Sequence, residues 1–289
     1  MGGSSNRDKM ISMKLDEKER KLEELLRDMG AVVIAFSGGV DSSYLAYKAH
    51  SVLGSRAVAV TGESASVPSH QRRMATQVVN QIGIEHKIVY PRELERADYS
   101  ANPPNRCYFC KDELFKELRA VAEQYGSAVI LDGLNADDVG DFRPGRKAAE
   151  KYSVRSPLLE AGLKKNEIRS LSRRAGLPTA DQPASACLAS RFPYGVPITE
   201  EKLRMVDQGE EALRNLGFRE FRVRHHEHLV RLEFAPDELE KALNLKVAAR
   251  LTALFKSLGY KYVTLDLEGY RTGSANETLS RSESESFKA

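Results

Sequence analysis

The sequence predicts an α/β fold: a mostly parallel sheet flanked by helices, followed by a smaller α+β unit. Three observations carry this. Short continuous apolar runs of strand length alternate with helical stretches through the first half of the chain. The first of these runs ends in a glycine-rich polar turn that opens directly into a helix. After about Gly195 the pattern changes to helix, two strands, helix and strand.

Residues 1–13 begin Gly/Ser/Asn-rich and are expected to be mobile. From about Lys14 the text is helical, with Leu15, Leu22, Leu25, Leu26 and Met29 on one stripe and Gly30 as its stop. Ala31 to Phe36 is a continuous apolar run, the signature of a strand buried on both faces. A turn from Ser37 to Ser43 leads into a helix over Tyr44 to Leu53. The pattern repeats as a strand at Arg56–Val60, a helix at Ser69–Ile82, a strand at Glu85–Tyr90, a helix at Lys111–Tyr125 and a strand at Ser127–Leu131. Crossovers in such a sheet are right-handed and ligands sit at the carboxyl ends of its strands, so the turns after Phe36 and Leu131 are the places to look.

In the second unit, Thr199 is the expected N-cap of a helix over Ile198–Leu216. Phe218–Phe234 reads as two strands about a turn near His226–His228, Asp237–Leu258 as one helix, and Lys261–Leu267 as a last strand. The expected division is a first domain at 14–195, a second at 196–279 and a disordered Ser/Glu-rich tail at 280–289.

Composition narrows the function classes. The 289 residues are 41% hydrophobic and 29% charged, and 44 Lys and Arg against 41 Asp and Glu leave a net charge of +3. Near-neutrality argues against a uniformly basic nucleic-acid binder. There is no apolar run of membrane-spanning length and no secretory h-region, so no membrane partner and a cytoplasmic location are expected. Three cysteines are odd in number and too few for a disulfide framework, which leaves metal binding or catalysis as their better use.

The segment Ser37-Gly38-Gly39-Val40-Asp41-Ser42-Ser43 carries the most chemistry. Paired glycines let the backbone pass close to a ligand and present several N–H groups, and the helix behind adds its positive end. Serine hydroxyls complete a phosphate cradle. The Gly-Lys-Ser/Thr ending of a Walker A loop is missing, and so is Gly-x-Gly-x-x-Gly. The segment instead resembles the PP-loop of the ATP pyrophosphatase superfamily. That resemblance implies ATP with Mg²⁺, pyrophosphate held by Ser37 to Ser43, and Asp41 near the metal and phosphates. Gly133-Leu-Asn-Ala-Asp-Asp138 after the fourth strand, with Gly133 and Asp138 facing the nucleotide, and Ser156-Pro-Leu-Leu with Lys164–Arg169, resemble further segments of the superfamily.

Later segments point to one branch. Pro183-Ala-Ser-Ala-Cys-Leu-Ala-Ser-Arg-Phe-Pro-Tyr-Gly195, Phe221-Arg-Val-Arg-His-His226, Arg231-Leu-Glu233 and Leu265-Asp-Leu-Glu-Gly-Tyr-Arg-Thr-Gly-Ser274 together resemble the LarE family. The resemblance runs from about Leu22 to Ser274. It implies adenylylation of a carboxylate of pyridinium-3,5-biscarboxylic acid mononucleotide, attack by sulfur, and release of AMP to leave a thiocarboxylate. That product serves assembly of the nickel-pincer cofactor of lactate racemase. It also implies a homo-oligomer, a hexamer. Arg222 and Arg224 lie on one face of a strand and suit a substrate phosphate, with Arg191 beside Cys187 as a further anion contact. Glu210, Glu211 and Glu233 are candidates to hold a cation near that phosphate. His225, His226 and His228 are read as surface histidines rather than metal ligands.

Cys107-Tyr-Phe-Cys110 precedes the helix expected near Lys111, and Cys187 lies where the LarE family keeps its sulfur-donor cysteine. Several uses stay open. Cys107, Cys110 and Cys187 can hold a 4Fe-4S cluster with three thiolates, leaving an iron for a transferable sulfur from a sulfide or persulfide donor. Cys187 can give up its own sulfur and become dehydroalanine. Cys107 and Cys110 can form a redox pair. Zinc lacks a fourth ligand, and inert burial is the remaining alternative. A cluster-dependent tRNA thiolation enzyme is the main rival function. An amide-forming synthetase would need an ammonia source, and no glutaminase segment is visible.

Overall fold

The computed structural model describes residues 6–139, 144–183 and 185–271. The expected tail and the Thr272–Ser274 end of the last motif lie outside these residues.

In chain order the helices are α1 (Asn6–Met29), α2 (Val40–Leu53), α3 (Ser69–Ile82), α4 (Ala97–Ser100), α5 (Arg106–Gln124), α6 (Gly145–Lys151), α7 (Pro157–Glu160), α8 (Lys165–Arg174), α9 (Glu200–Asn215), α10 (Pro236–Leu243) and α11 (Leu245–Ser257). The strands are β1 (Val32–Ala35), β2 (Ala57–Gly62), β3 (Glu85–Val89), β4 (Val129–Leu131), β5 (Phe221–His226), β6 (Leu229–Phe234) and β7 (Tyr262–Leu265).

β1 to β4 form one parallel sheet in the order β3-β2-β1-β4. Its centre is buried on both sides. Val32 and Ile34 pack with α1, α2, α3 and α8, while Val33, Val58 and Val60 pack with α5. Each such fully buried side chain contributes about 1.5–3 kcal/mol of transfer free energy. The carboxyl ends of β1, β2 and β4 therefore open together at one edge, as the sequence pattern requires. The second sheet pairs β5 with β6 antiparallel and β6 with β7 parallel. Its core recruits Leu188, Ala189 and Phe192 from the segment after Cys187, and Tyr99 from α4.

Three local expectations are corrected. α1 begins at Asn6 rather than near Lys14. α5 begins at Arg106, so Cys107 and Cys110 lie inside it rather than in the loop before it. Pro103 and Pro104 end the loop just before, and the i, i+3 spacing of the two cysteines then sets both on one helix face. The helix expected over Asp237–Leu258 breaks at Asn244. Asn244 adopts an extended backbone and caps α11 by accepting from the Lys246 N–H at 3.0 Å.

Candidate active site

The loop between β1 and α2 is built by its own residues. Gly38 has φ +70°, and a Cβ there would stand 2.8 Å from the Ala75 Cα of α3, so only glycine lets the loop pass between α2 and α3. Ser37 Oγ and Ser42 Oγ are 3.1 Å apart, Ser42 Oγ also accepts from the Ser37 N–H, and the Gly39 N–H points at Ser37 Oγ at 3.4 Å. The turn is thus pre-organised around a space instead of collapsed into it. Gly133, after β4, comes close to α2: a Cβ there would lie 3.1 Å from the Ser42 nitrogen. Ser43, by contrast, is fully buried beneath the loop.

Ser37, Gly38, Gly39, Val40, Asp41, Ser42, Gly133 and Asp138 all line a cavity of about 530 Å³. Asp41 is held by two partners. Its Oδ2 accepts from Lys165 Nζ at 2.5 Å and its Oδ1 faces Asn135 Nδ2 at 3.4 Å. Asp138 caps the turn after β4 through the Asn135 N–H at 3.0 Å. Lys165, at the start of α8, and Lys111, on α5, add positive charge to the walls. Lys111 was not singled out in the sequence, and Lys165 only as part of a resembling segment. Neither belongs to a glycine-rich turn, and only the tertiary fold delivers them. The loop and its cations can hold polyphosphate and offset its charge.

A second cavity of about 350 Å³ adjoins the first and shares Ser37, Gln71, Cys107, Lys111 and Ser185 with it. Cys107, Cys110 and Cys187 all line it. Cys107 is exposed, and Cys110 and Cys187 are half-buried. Burial, with the Glu93 carboxylate next in weight, pushes the Cys110 thiol well above its usual range. Among the described residues no three His, Cys, Asp or Glu side chains are grouped to hold a metal ion. Gln71 joins the two cavities: its Nε2 donates to the Ser37 carbonyl at 2.8 Å and its Oε1 accepts from Ser185 Oγ at 3.1 Å. No sequence signal marks Gln71.

The arginines expected at the substrate phosphate make contacts within the protein. Arg191 is buried with Glu210: its Nε donates to Oε1 at 2.7 Å and its Nη2 to Oε2 at 3.2 Å. Its Nη1 holds the Ser190 hydroxyl and the carbonyls of Ala186 and Cys187. Arg222 stacks on the Tyr270 ring at 4.4 Å and donates to its hydroxyl at 3.0 Å. Arg224 shares that strand face, yet it forms a bidentate pair with buried Glu233, both contacts at 2.9 Å. Glu233 stands opposite Arg222 in register, and the diagonal neighbour Arg224 takes it. A small pocket of about 60 Å³ is lined by Arg191, Arg214, Arg219, Arg222, His70 and one carboxylate, Glu220, and not by Arg224.

Burial and the neighbouring Arg191 push Arg222 below the usual guanidinium range, and burial does the same to Arg214. Burial also lowers His70 to about 4. The pocket is an excess of positive charge, suited to an anion. Glu211 lies outside it, in an exposed bidentate pair with Arg73 at 2.7 Å. Each carboxylate expected near a cation is paired with arginine: Glu210 with Arg191, Glu211 with Arg73 and Glu233 with Arg224. His225 is buried rather than on the surface, its Nδ1 2.9 Å from Tyr260 Oη.

A parallel sheet with this loop at its leading carboxyl edge defines a PP-loop, ATP-using enzyme. Known proteins agree. Residues 15–128 match the NAD synthase family model. The chain is 34% identical to the pyridinium-3,5-bisthiocarboxylic acid mononucleotide synthase of Lactiplantibacillus plantarum, over 94% of this chain and 99% of that protein. It is 42% identical to an uncharacterized protein of Synechocystis, over 92% of this chain and all of the relative. It is 28% identical to a tRNA-specific 2-thiouridylase of Thermoanaerobacter pseudethanolicus over 62% of this chain and 61% of that protein. The chain belongs to the LarE family of ATP-using sulfur transferases. No helix among the described residues is long and apolar enough to cross a membrane.

Proposed function

We propose that the protein uses ATP to adenylylate a carboxylate of pyridinium-3,5-biscarboxylic acid mononucleotide and converts it to a thiocarboxylate. The observation that carries this reading is the shared wall between the PP-loop cavity and the cavity of the three cysteines. An activated carboxyl group formed at the first is within reach of sulfur held in the second. In the first step the carboxylate oxygen attacks the α-phosphorus, forming an acyl adenylate and releasing pyrophosphate. In the second, a sulfur anion attacks the carbonyl carbon. The C–S bond forms, the C–O bond to AMP breaks, and AMP leaves with the bonding pair.

The residues divide the work. The loop Ser37–Ser43 holds the pyrophosphate end, Asp41 would hold Mg²⁺ if it were bound, and Gly133 and Asp138 face the nucleotide. The cationic pocket of Arg191, Arg214, Arg222 and His70 holds the substrate's own phosphate. Arg224 and Glu233 brace the strand that presents Arg222. A net match over nearly the full length of the mononucleotide synthase, against 61% of the thiouridylase, favours this substrate class over tRNA.

For the sulfur, three thiols in one cavity are the donor chemistry of a 4Fe-4S cluster, held by Cys107, Cys110 and Cys187. Held by these three thiolates, such a cluster would supply a transferable sulfur. The chain's own part is to aim that sulfur at the carboxyl carbon and keep water from the acyl adenylate.

The test is anaerobic incubation of the full chain with ATP, Mg²⁺, sulfide and the dicarboxylate mononucleotide. AMP and an oxygen-to-sulfur mass gain on the mononucleotide are expected, with iron in the protein and Cys187 unchanged in mass. Iron-free protein whose Cys187 loses the mass of hydrogen sulfide identifies the sacrificial route. Product on tRNA alone overturns the substrate.

A further inference from the structure

We infer that Arg106 and Tyr99 form a sulfur-anion subsite in the cysteine cavity, and that its occupant is hydrosulfide. Both residues line that cavity. Arg106 is 5% exposed, yet its Nε and Nη1 have no hydrogen-bond partner among the described residues. Its guanidinium lies over the Tyr194 ring at 4.9 Å. A face contact of this kind leaves the edge N–H groups pointing outward. Tyr99 is 1% exposed, and its hydroxyl approaches Ser66 without making a hydrogen bond. Cys107, Cys110 and Cys187 line the same cavity as Arg106 and Tyr99. Buried donors without partners are costly, and a folded protein keeps them where something docks.

The chemistry of the cavity selects the anion. An ionised carboxylate only accepts, so it has no hydrogen to offer the unpartnered Glu93 Oε2 in the same cavity. Pro91 and Leu114 supply apolar wall, which suits a large, weakly hydrated ion. Glu93 lines the same cavity. Its Oε1 accepts from Ser66 Oγ at 2.8 Å and its Oε2 has no partner. Hydrosulfide offers both faces: a negative sulfur for Arg106 and Tyr99, and an S–H for a carboxylate oxygen. The subsite deepens the sulfur-transfer reading by naming the form in which sulfur arrives, and it rests on that reading only for its role.

The experiment is calorimetric titration of the anaerobic full-length protein with sodium sulfide at mildly alkaline pH, with iron content measured on each sample. Wild type is expected to bind hydrosulfide at one site per chain. A hydrogen bond to a charged group corresponds to about tenfold or more in affinity, so Arg106→Gln and Tyr99→Phe should each weaken binding by at least about that factor. Arg106→Lys should fall between wild type and Arg106→Gln. Tyr99→Phe removes one hydroxyl and decides the matter if Arg106→Gln fails to fold or loses iron. Wild-type affinity in Tyr99→Phe, or in a folded, iron-replete Arg106→Gln, overturns the inference. So does Arg106-dependent binding of pyridine-3,5-dicarboxylate in place of sulfide. If sulfide binds through Arg106 and no thiocarboxylate forms, the subsite stands and the sulfur-transfer reading fails.

Discussion

Glu210→Gln tests the electrostatic frame around Cys187. Arg191 and Glu210 side chains are each only 2% exposed, and they are joined by contacts of 2.7 and 3.2 Å. Removing one partner of a buried pair costs about 3–5 kcal/mol, because the other charge stays buried and uncompensated. Here the residue left behind is a guanidinium beside Arg214 and Arg222, which share its pocket. The remaining amide oxygen accepts one hydrogen bond and carries no charge, so the lower end, about 3 kcal/mol, is the expected loss. Urea denaturation followed by far-UV circular dichroism measures it, with an unchanged m-value showing that stability alone has moved. Replacing both partners, Arg191→Met with Glu210→Leu, should recover most of the loss in stability. That double variant should still lose thiocarboxylate formation, because Arg191 Nη1 no longer holds the carbonyls of Ala186 and Cys187. ATP–pyrophosphate exchange should persist in it. A Glu210→Gln protein within about 1 kcal/mol of wild type refutes the reasoning, since that is the range of an exposed pair.

Gly38→Ala should lose about 2–4 kcal/mol from left-handed backbone strain plus the clash with Ala75, and ATP affinity should fall with it. Gly39→Ala, whose Cβ would meet only Ser37 Oγ at 3.4 Å, should be far milder by the same denaturation and titration. Asp41→Asn should leave the fold intact and cut pyrophosphate release at least about a hundredfold, measured by exchange, since Mg²⁺ and phosphate charge lose their carboxylate. Acid should destabilise the protein through His70 and His225, each lowered to about 4 chiefly by burial. Both are near 6.5 when unfolded, so the unfolded chain binds more protons between those values. Their contribution is complete above about pH 6.5 and is lost as pH falls towards 4, up to about 3 kcal/mol for buried His225. His225→Gln should show a shallower loss of melting temperature across that window, and an equal slope contradicts it.

Much of the parallel sheet and its helices was legible because it is written locally. β1 is apolar without interruption, since both faces are covered, and the serine-glycine turn needs residue types that few other turns need. α3 was expected and found at Ser69–Ile82. Boundaries set by neighbours were less visible. The start of α5 depends on the loop of two prolines docking, and the break at Asn244 on a single capping residue inside an otherwise continuous helical pattern. The site was legible only where a motif lies along the chain. Lys165, Gln71 and Arg106 reach it from three separate elements and have no partner in sequence spacing. Alternation puts Arg224 beside Arg222. The pattern of one strand does not show that Glu233, on the next, occupies it.

The central claim is that ATP activates a carboxylate oxygen which sulfur then replaces. It is tested most directly with the dicarboxylate mononucleotide labelled with heavy oxygen in its carboxyl groups, turned over by the full chain with ATP, Mg²⁺ and sulfide under anaerobic conditions. The account predicts that each AMP released carries one labelled oxygen from the carboxylate and that the mononucleotide gains sulfur in its place. AMP without label, or label in pyrophosphate, contradicts it.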